Sequence, residues 1–159
     1  MKSIFIILVI AALLWVALVG VTAFARELPM TEKKLEGEVA ILLPKNLSIV
    51  EESPIEDFVI YTVKNSAGKI ILRMYAGNHP DAINAPNIAT NSKTQLGGFK
   101  SEFVRWTDKS GLRFGVVTIN LLEVEGWPQW LQISYDSQSE SEMKTSESII
   151  SSVHAYKKN

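Results

Sequence analysis

Residues 4–25 contain no ionisable side chain, and this run constrains the chain more than any other feature. Lys2 is the only charged side chain before it, and it ends in Ala23-Phe24-Ala25. A basic start, an apolar centre and small residues before a cut are the order of a secretory signal peptide. Ala23 and Ala25 suit a peptidase whose pockets admit little else, and Gly20 interrupts the helix so that an extended segment can enter them. Residues 1–25 are therefore read as a leader, and the mature chain begins at Arg26. An uncleaved anchor is the competing reading, because a helix over the whole run would be about 33 Å long, enough to cross a bilayer. Basic residues do not choose between the two: Lys2 and the amino terminus on one side face Arg26, Lys33 and Lys34 on the other. Cleavage yields a periplasmic or secreted domain. Retention yields an anchored one, at the inner membrane, in either orientation.

Removing the leader takes one lysine from the 16 basic residues and none of the 17 acidic ones, which leaves a formal charge of −2. So balanced a chain offers little attraction for nucleic acid or anionic lipid. Residues 26–159 suit one domain and can bury about two thirds of the surface they expose when unfolded. There is no cysteine. Disulfides, thiolate metal sites, a cysteine nucleophile and the lipid-modified cysteine of a bacterial lipoprotein are thereby excluded. An exported domain without disulfides relies on its core alone, which fits a bacterial periplasm.

Along the mature chain, residues 26–37 are polar and read as a linker, and a single α+β domain is expected over 38–159. Residues 39–43 form a short apolar run ended by Pro44, as a strand does. Residues 46–54 read as a loop or short edge piece. Two stretches rich in β-branched and aromatic residues, 58–64 and 69–75, flank Asn65-Ser66-Ala67-Gly68 and predict a hairpin. Residues 76–96 carry two prolines and four asparagines with almost no periodicity. They predict a long loop with one helical turn near 81–85, and loops of that length are often functional. A second strand pair, 99–107 and 112–122, surrounds Asp108-Lys109-Ser110-Gly111, and another strand covers 130–135. From Ser139 the period changes. Met143, Ile149, Ile150, Val153 and Tyr156 share one stripe, and Ser139 with Glu142 makes a capping box. An amphipathic C-terminal helix of about four turns is expected to lie on the sheet.

The chemistry-bearing residues are few. His79 and His154 are the only histidines, and no local metal motif joins them. No metal site and no cofactor are implied. His154 falls in the last turn of the expected helix, where the dipole favours a cationic ring. His79 sits in Gly77-Asn78-His79-Pro80, a turn directly after a strand, where binding groups are often carried, although turn chemistry alone explains its neighbours. Glu123 and Glu125 stand two apart, able in principle to hold a cation or act as a glycosidase pair, and more often simply solvated. No nucleophile elbow, zinc-protease helix, phosphate loop or dinucleotide fingerprint occurs. Trp106, Trp127 and Trp130 are the tryptophans of the mature chain; core packing and interface contact both suit them. Arg105 beside Trp106, with Lys100, hints at a nucleic-acid surface that the near-neutral charge opposes.

The order from Leu43-Pro44-Lys45 through hairpin, long loop and paired strands to a helix running into Ile149-Ile150-Ser151-Ser152-Val153 resembles that of Mog1/PsbP-like domains, among them exported bacterial proteins of the DcrB kind. The resemblance spans residues 38–157. It implies an antiparallel sheet of about six strands flanked by helices, and a family that mostly binds or assembles without chemistry of its own, so no catalytic residue carries over. Many exported members are lipoproteins, and this chain lacks their cysteine. The resulting expectation is an exported, non-catalytic binding or assembly protein. Asn78, His79, Arg105, Trp127 and Trp130 are its expected contacts, and another envelope protein or a small ligand is its partner. A small hydrolase using His79 and a membrane-anchored component of an envelope complex are the alternatives.

Overall fold

A computed structural model describes residues 29–55, 57–121 and 127–156. The leader and the Glu123–Glu125 pair lie outside them. Ten strands and one helix run in the order β1 (Met30–Leu35), β2 (Val39–Pro44), β3 (Leu47–Ile55), β4 (Phe58–Asn65), β5 (Ile70–Gly77), β6 (Thr90–Leu96), β7 (Phe99–Thr107), β8 (Arg113–Asn120), β9 (Trp130–Ser137), α1 (Glu140–Ser151) and β10 (His154–Ala155). Seven strands form one antiparallel sheet in the order β3-β4-β5-β9-β8-β7-β6, and β1-β2-β10 form a second, smaller one. The expected α+β sheet of about six strands flanked by helices is therefore incorrect. The fold is mostly β, and α1 is the sole helix among the described residues.

The large sheet has an inner and an outer face set by strand alternation. Val59, Tyr61 and Val63 of β4, Leu72, Met74 and Ala76 of β5, Val117 and Ile119 of β8, and Leu131 and Ile133 of β9 are buried on the inner side. They join Leu35, Val39, Ile41 and Leu43 of the small sheet and Ile149, Ile150 and Val153 from α1 and its exit in one core. The small sheet and α1 thus share the layer that a pair of flanking helices would have filled. Tyr61 clamps the layers together: its hydroxyl oxygen accepts from Glu36 N at 3.1 Å, and burial pushes its pKa up to about 12.

The two hairpins follow the sequence closely. Gly68 and Gly111 take φ of 78° and 86°, the left-handed conformation that closes each turn without a Cβ penalty. Asp108 accepts from the Ser110 hydroxyl and from the Ser110 and Leu112 amides, and these bonds, the hydroxyl first, hold its carboxyl below the usual range.

The differences concentrate in polar segments. Met30–Leu35, inside the expected linker, is a strand paired residue for residue with β2. Residues 46–54, expected as a loop or short edge piece, belong largely to the nine-residue β3, an edge of the large sheet. Thr90–Leu96, expected as loop, is β6, the edge of the large sheet, while residues 81–85 form no helical turn. At the C terminus, Ser139 Oγ accepts from Glu142 N at 3.1 Å as the capping box requires. Glu142 itself turns to Lys69, 2.6 Å away, and to the Ser137 hydroxyl. The helix then stops a turn early, because Ser152 bridges out of it: its Oγ donates to Ile149 O at 2.6 Å and accepts from Leu42 N at 2.8 Å. Tyr156 therefore lies beyond the helix, and His154 lies in β10 opposite Ala40. The ring nitrogens of His154 lie 2.8 Å from the carbonyl oxygen of Ser152, the C-cap of α1, and 3.3 Å from Glu32 Oε2.

Candidate functional site

Residues 78–89 leave the end of β5 and travel to the start of β6, and on the way meet the outer face: Gln132 Nε2 donates to Asp81 O at 2.9 Å. Beside this contact the outer side chains of β6 to β9 enclose a groove of about 480 Å³, within the range of small-ligand sites. Register builds it. Lys93 stands opposite Glu102, Glu102 opposite Thr118, and Thr118 opposite Gln132, so one row of outward side chains crosses four strands. The next row runs Gln95, Lys100, then Asn120 opposite Trp130. Trp130 supplies a half-buried aromatic surface at one end, and amides, a hydroxyl and charged groups surround it. Gln132 Nε2 also reaches Thr118 Oγ1 at 3.3 Å, and Asn91 bonds Glu102, so part of the polar lining is held in place.

The five expected contact residues divide. Asn78, His79, Trp127 and Trp130 gather at the end of β5 and the start of β9, where Gly77 pairs with Trp130. Within that corner their duties differ. Asn78 Oδ1 accepts from Gln129 N at 3.2 Å, and Trp127, 39% exposed, donates from Nε1 to Asp57 O at 3.2 Å, so both brace the turn that holds the cis Trp127-Pro128 bond. His79 is anchored through its backbone N–H to the Tyr75 hydroxyl at 2.9 Å; its exposed ring makes no hydrogen bond among the described residues. Of the four, only Trp130 lines the groove.

Arg105 lies apart. Five residues along β7 from Lys100, about 17 Å at strand rise, it points to the inner face. Its Nε donates to Glu147 Oε1 of α1 at 2.7 Å, the Tyr135 hydroxyl donates to the same oxygen at 2.8 Å, and the guanidinium lies 3.4 Å from the centre of the Phe103 ring. Burial and then the Glu147 carboxylate push the Tyr135 hydroxyl pKa up. A second opening of about 420 Å³ lies here, bordered by Arg105, Arg113, Trp106, Phe114 and Met143, with Ile88 of the 78–89 segment exposed at its rim. Trp106 stacks on Phe114 at 5.0 Å, on the outer face.

Lys93, Gln95, Glu102, Thr118 and Asn120 were not singled out by the sequence. A signal was present in β8: Val117, Ile119 and Leu121 claim the core, which turns Thr118 and Asn120 outward. Among the described residues no cluster of three or more histidine, aspartate or glutamate side chains could hold a metal ion, and no helix is long and apolar enough to cross a membrane. No protein-family model, curated protein or solved structure matches the chain.

Proposed function

We propose that the chain is an exported, non-catalytic binding or accessory module that holds its partner on the outer face of the seven-stranded sheet. The leader pattern of residues 1–25 supports export to the periplasm or beyond. The groove carries the binding reading: an aromatic surface at Trp130 ringed by Thr118, Asn120, Lys93 and Glu102, open to solvent on a face that neither α1 nor the small sheet covers. Such a mixture of one large apolar surface and several oriented polar groups is what a recognition site needs for both affinity and specificity. The resemblance to Mog1/PsbP-like domains favours the same class of role, although the ten-stranded architecture departs from the sheet it implies. A neighbouring envelope protein or a small polar ligand fits the groove, and a retained leader would make the module a membrane-anchored component of an envelope complex.

Photo-crosslinking in the native envelope tests this. A crosslinking side chain at Thr118, Gln95 or Trp130 is expected to capture a discrete adduct, whereas the same group at Lys144, on the exposed side of α1, captures none. Equal labelling at all positions, or none in the groove, refutes the reading. Hydrolase activity is the second reading, and it needs a partner for His79. If the reading holds, His79→Ala abolishes any turnover found by substrate screening; an unchanged rate removes it.

A further inference from the structure

The large sheet has two edges, and they are built differently. At β3 the pairing with β4 shifts register between Glu52 and Ile55, and Glu51 and Glu52 are exposed along the strand. A bulge and acidic side chains of this kind discourage another strand from joining. At β6 the register with β7 runs without a break from Thr90–Arg105 to Leu96–Phe99. Thr90 to Gln95 are all exposed, Leu96 is half-buried, and the strand's outer backbone edge accepts and donates no backbone hydrogen bond among the described residues. Regular, uncovered edges are templates for strand addition.

Charge selects what joins. Lys93 is the midpoint of β6 and makes no ion pair among the described residues. A second copy pairing antiparallel over all seven residues would set Lys93 against Lys93, with Cβ atoms only about 5 Å apart, which is repulsive. A carboxylate in that place is attractive. The outward side chain of an added strand beside Lys93 and Gln95 also stands at the rim of the groove that leads to Trp130.

We propose that β6 is a docking strand for an extended segment of a partner protein, one that places an aspartate or glutamate beside Lys93 and its neighbouring outward side chain at the mouth of the Trp130 groove. Main-chain hydrogen bonds to β6 supply the sequence-independent part of the affinity, and the Lys93 pairing and the groove supply the register. The inference rests on the proposed binding role of the outer face and names the chemistry of its partner.

The probe is the peptide acetyl-Thr-Val-Thr-Glu-Thr-Val-Thr-amide, titrated to millimolar concentration into the isotopically labelled domain, with its Glu-to-Lys analogue and a backbone N-methylated analogue as controls. Amide shifts confined to β6 and the adjoining part of β7, with slowed exchange of β6 amides, are expected. The lysine peptide should bind about fivefold more weakly, and Lys93→Glu should reverse that preference, with shift changes in the free domain confined to β6 and to Glu102 and its neighbours on β7. Shifts centred on β3 or α1, an N-methylated peptide that binds equally well, no binding at millimolar peptide, or a peptide-free dimer whose contacts lie on β6 each overturn the proposal. Groove crosslinks that persist when the peptide fails would leave the binding role standing and remove only strand docking.

Discussion

Arg105 and Trp130 are both large, surface-tolerant side chains on two strands of one sheet, β7 and β9, with only β8 between them, yet they do opposite things. Arg105 faces inward and is held in place: Glu147 takes its Nε–H, Phe103 lies under its guanidinium, and Tyr135 shares the carboxylate. Trp130 faces outward into a groove with room around it. The difference comes from strand parity alone. Residue 105 falls in phase with Phe99 and Phe103, which are buried, and residue 130 falls out of phase with Leu131 and Ile133, which are also buried. A residue's chemistry thus says what it could bind, and its phase along the strand says whether anything is left to bind.

The contrast can be broken or sharpened by substitution. Glu147→Ala should have the largest effect on stability, about 1–3 kcal/mol, because the Tyr135 hydroxyl is left without its acceptor. The half-exposed ion pair to Arg105 adds little. Urea unfolding reads this, and groove crosslinking in the surviving fold should be unchanged. A loss of crosslinking equal to the loss of folded protein would mean that the two regions are one. Next comes Tyr135→Phe, which removes one hydrogen bond to a carboxylate that keeps Arg105, at a cost of about 1 kcal/mol.

Tyr135→Phe should also alter the alkaline limb of the stability profile. Tyr61 and Tyr135 both hold their protons more tightly when folded, Tyr61 with its pKa at about 12. Their stabilisation is complete below the unfolded tyrosine value of about 10 and is lost as pH rises through the folded value. The urea midpoint should therefore fall as pH rises from about 10 to about 12, and fall less in Tyr135→Phe. An identical decline in the variant would sink the inner-face assignment of that proton. Thr118→Ala should have the smallest effect on stability, within about 0.5 kcal/mol, as an outward hydroxyl on a solvated face. Its crosslinking yield should nevertheless drop.

The apolar strands were legible in the sequence because one face of each meets the core. Val59, Tyr61 and Val63, or Val117, Ile119 and Leu121, leave an alternation that no loop would produce. The strands that went unread, Met30–Leu35 and Thr90–Leu96, have almost every residue exposed, so burial imprints no period on them. Their backbone bonds come from a neighbour already in place, β2 in one case and β7 in the other. Polar edge strands are therefore the part of this fold that local pattern cannot carry, and missing two of them, with β10, turned a mostly-β architecture into an expected α+β one. The helix cap at Ser139 was legible for the opposite reason, since it depends only on residues three apart. Within the site, Asn78 and His79 lie far along the chain from Trp127 and Trp130, so only the pairing of Gly77 with Trp130 brings them to one corner, and only the register separates Arg105 from them.

The small sheet carries one more implication. β1 and β10 lie on the two sides of β2, with Met30 opposite Pro44 and Ala155 opposite Val39, so the first and last strands of the described residues point in the same direction with β2 between them, and the chain enters and leaves them at opposite ends of β2. A pull between those ends is directed along the strands. It loads the rungs of both ladders together in shear, instead of peeling them one by one as in a hairpin pulled from its mouth. A domain joined through its ends to other parts of an envelope assembly would then carry tension through its small sheet, while the groove on the far layer remains outside the line of force.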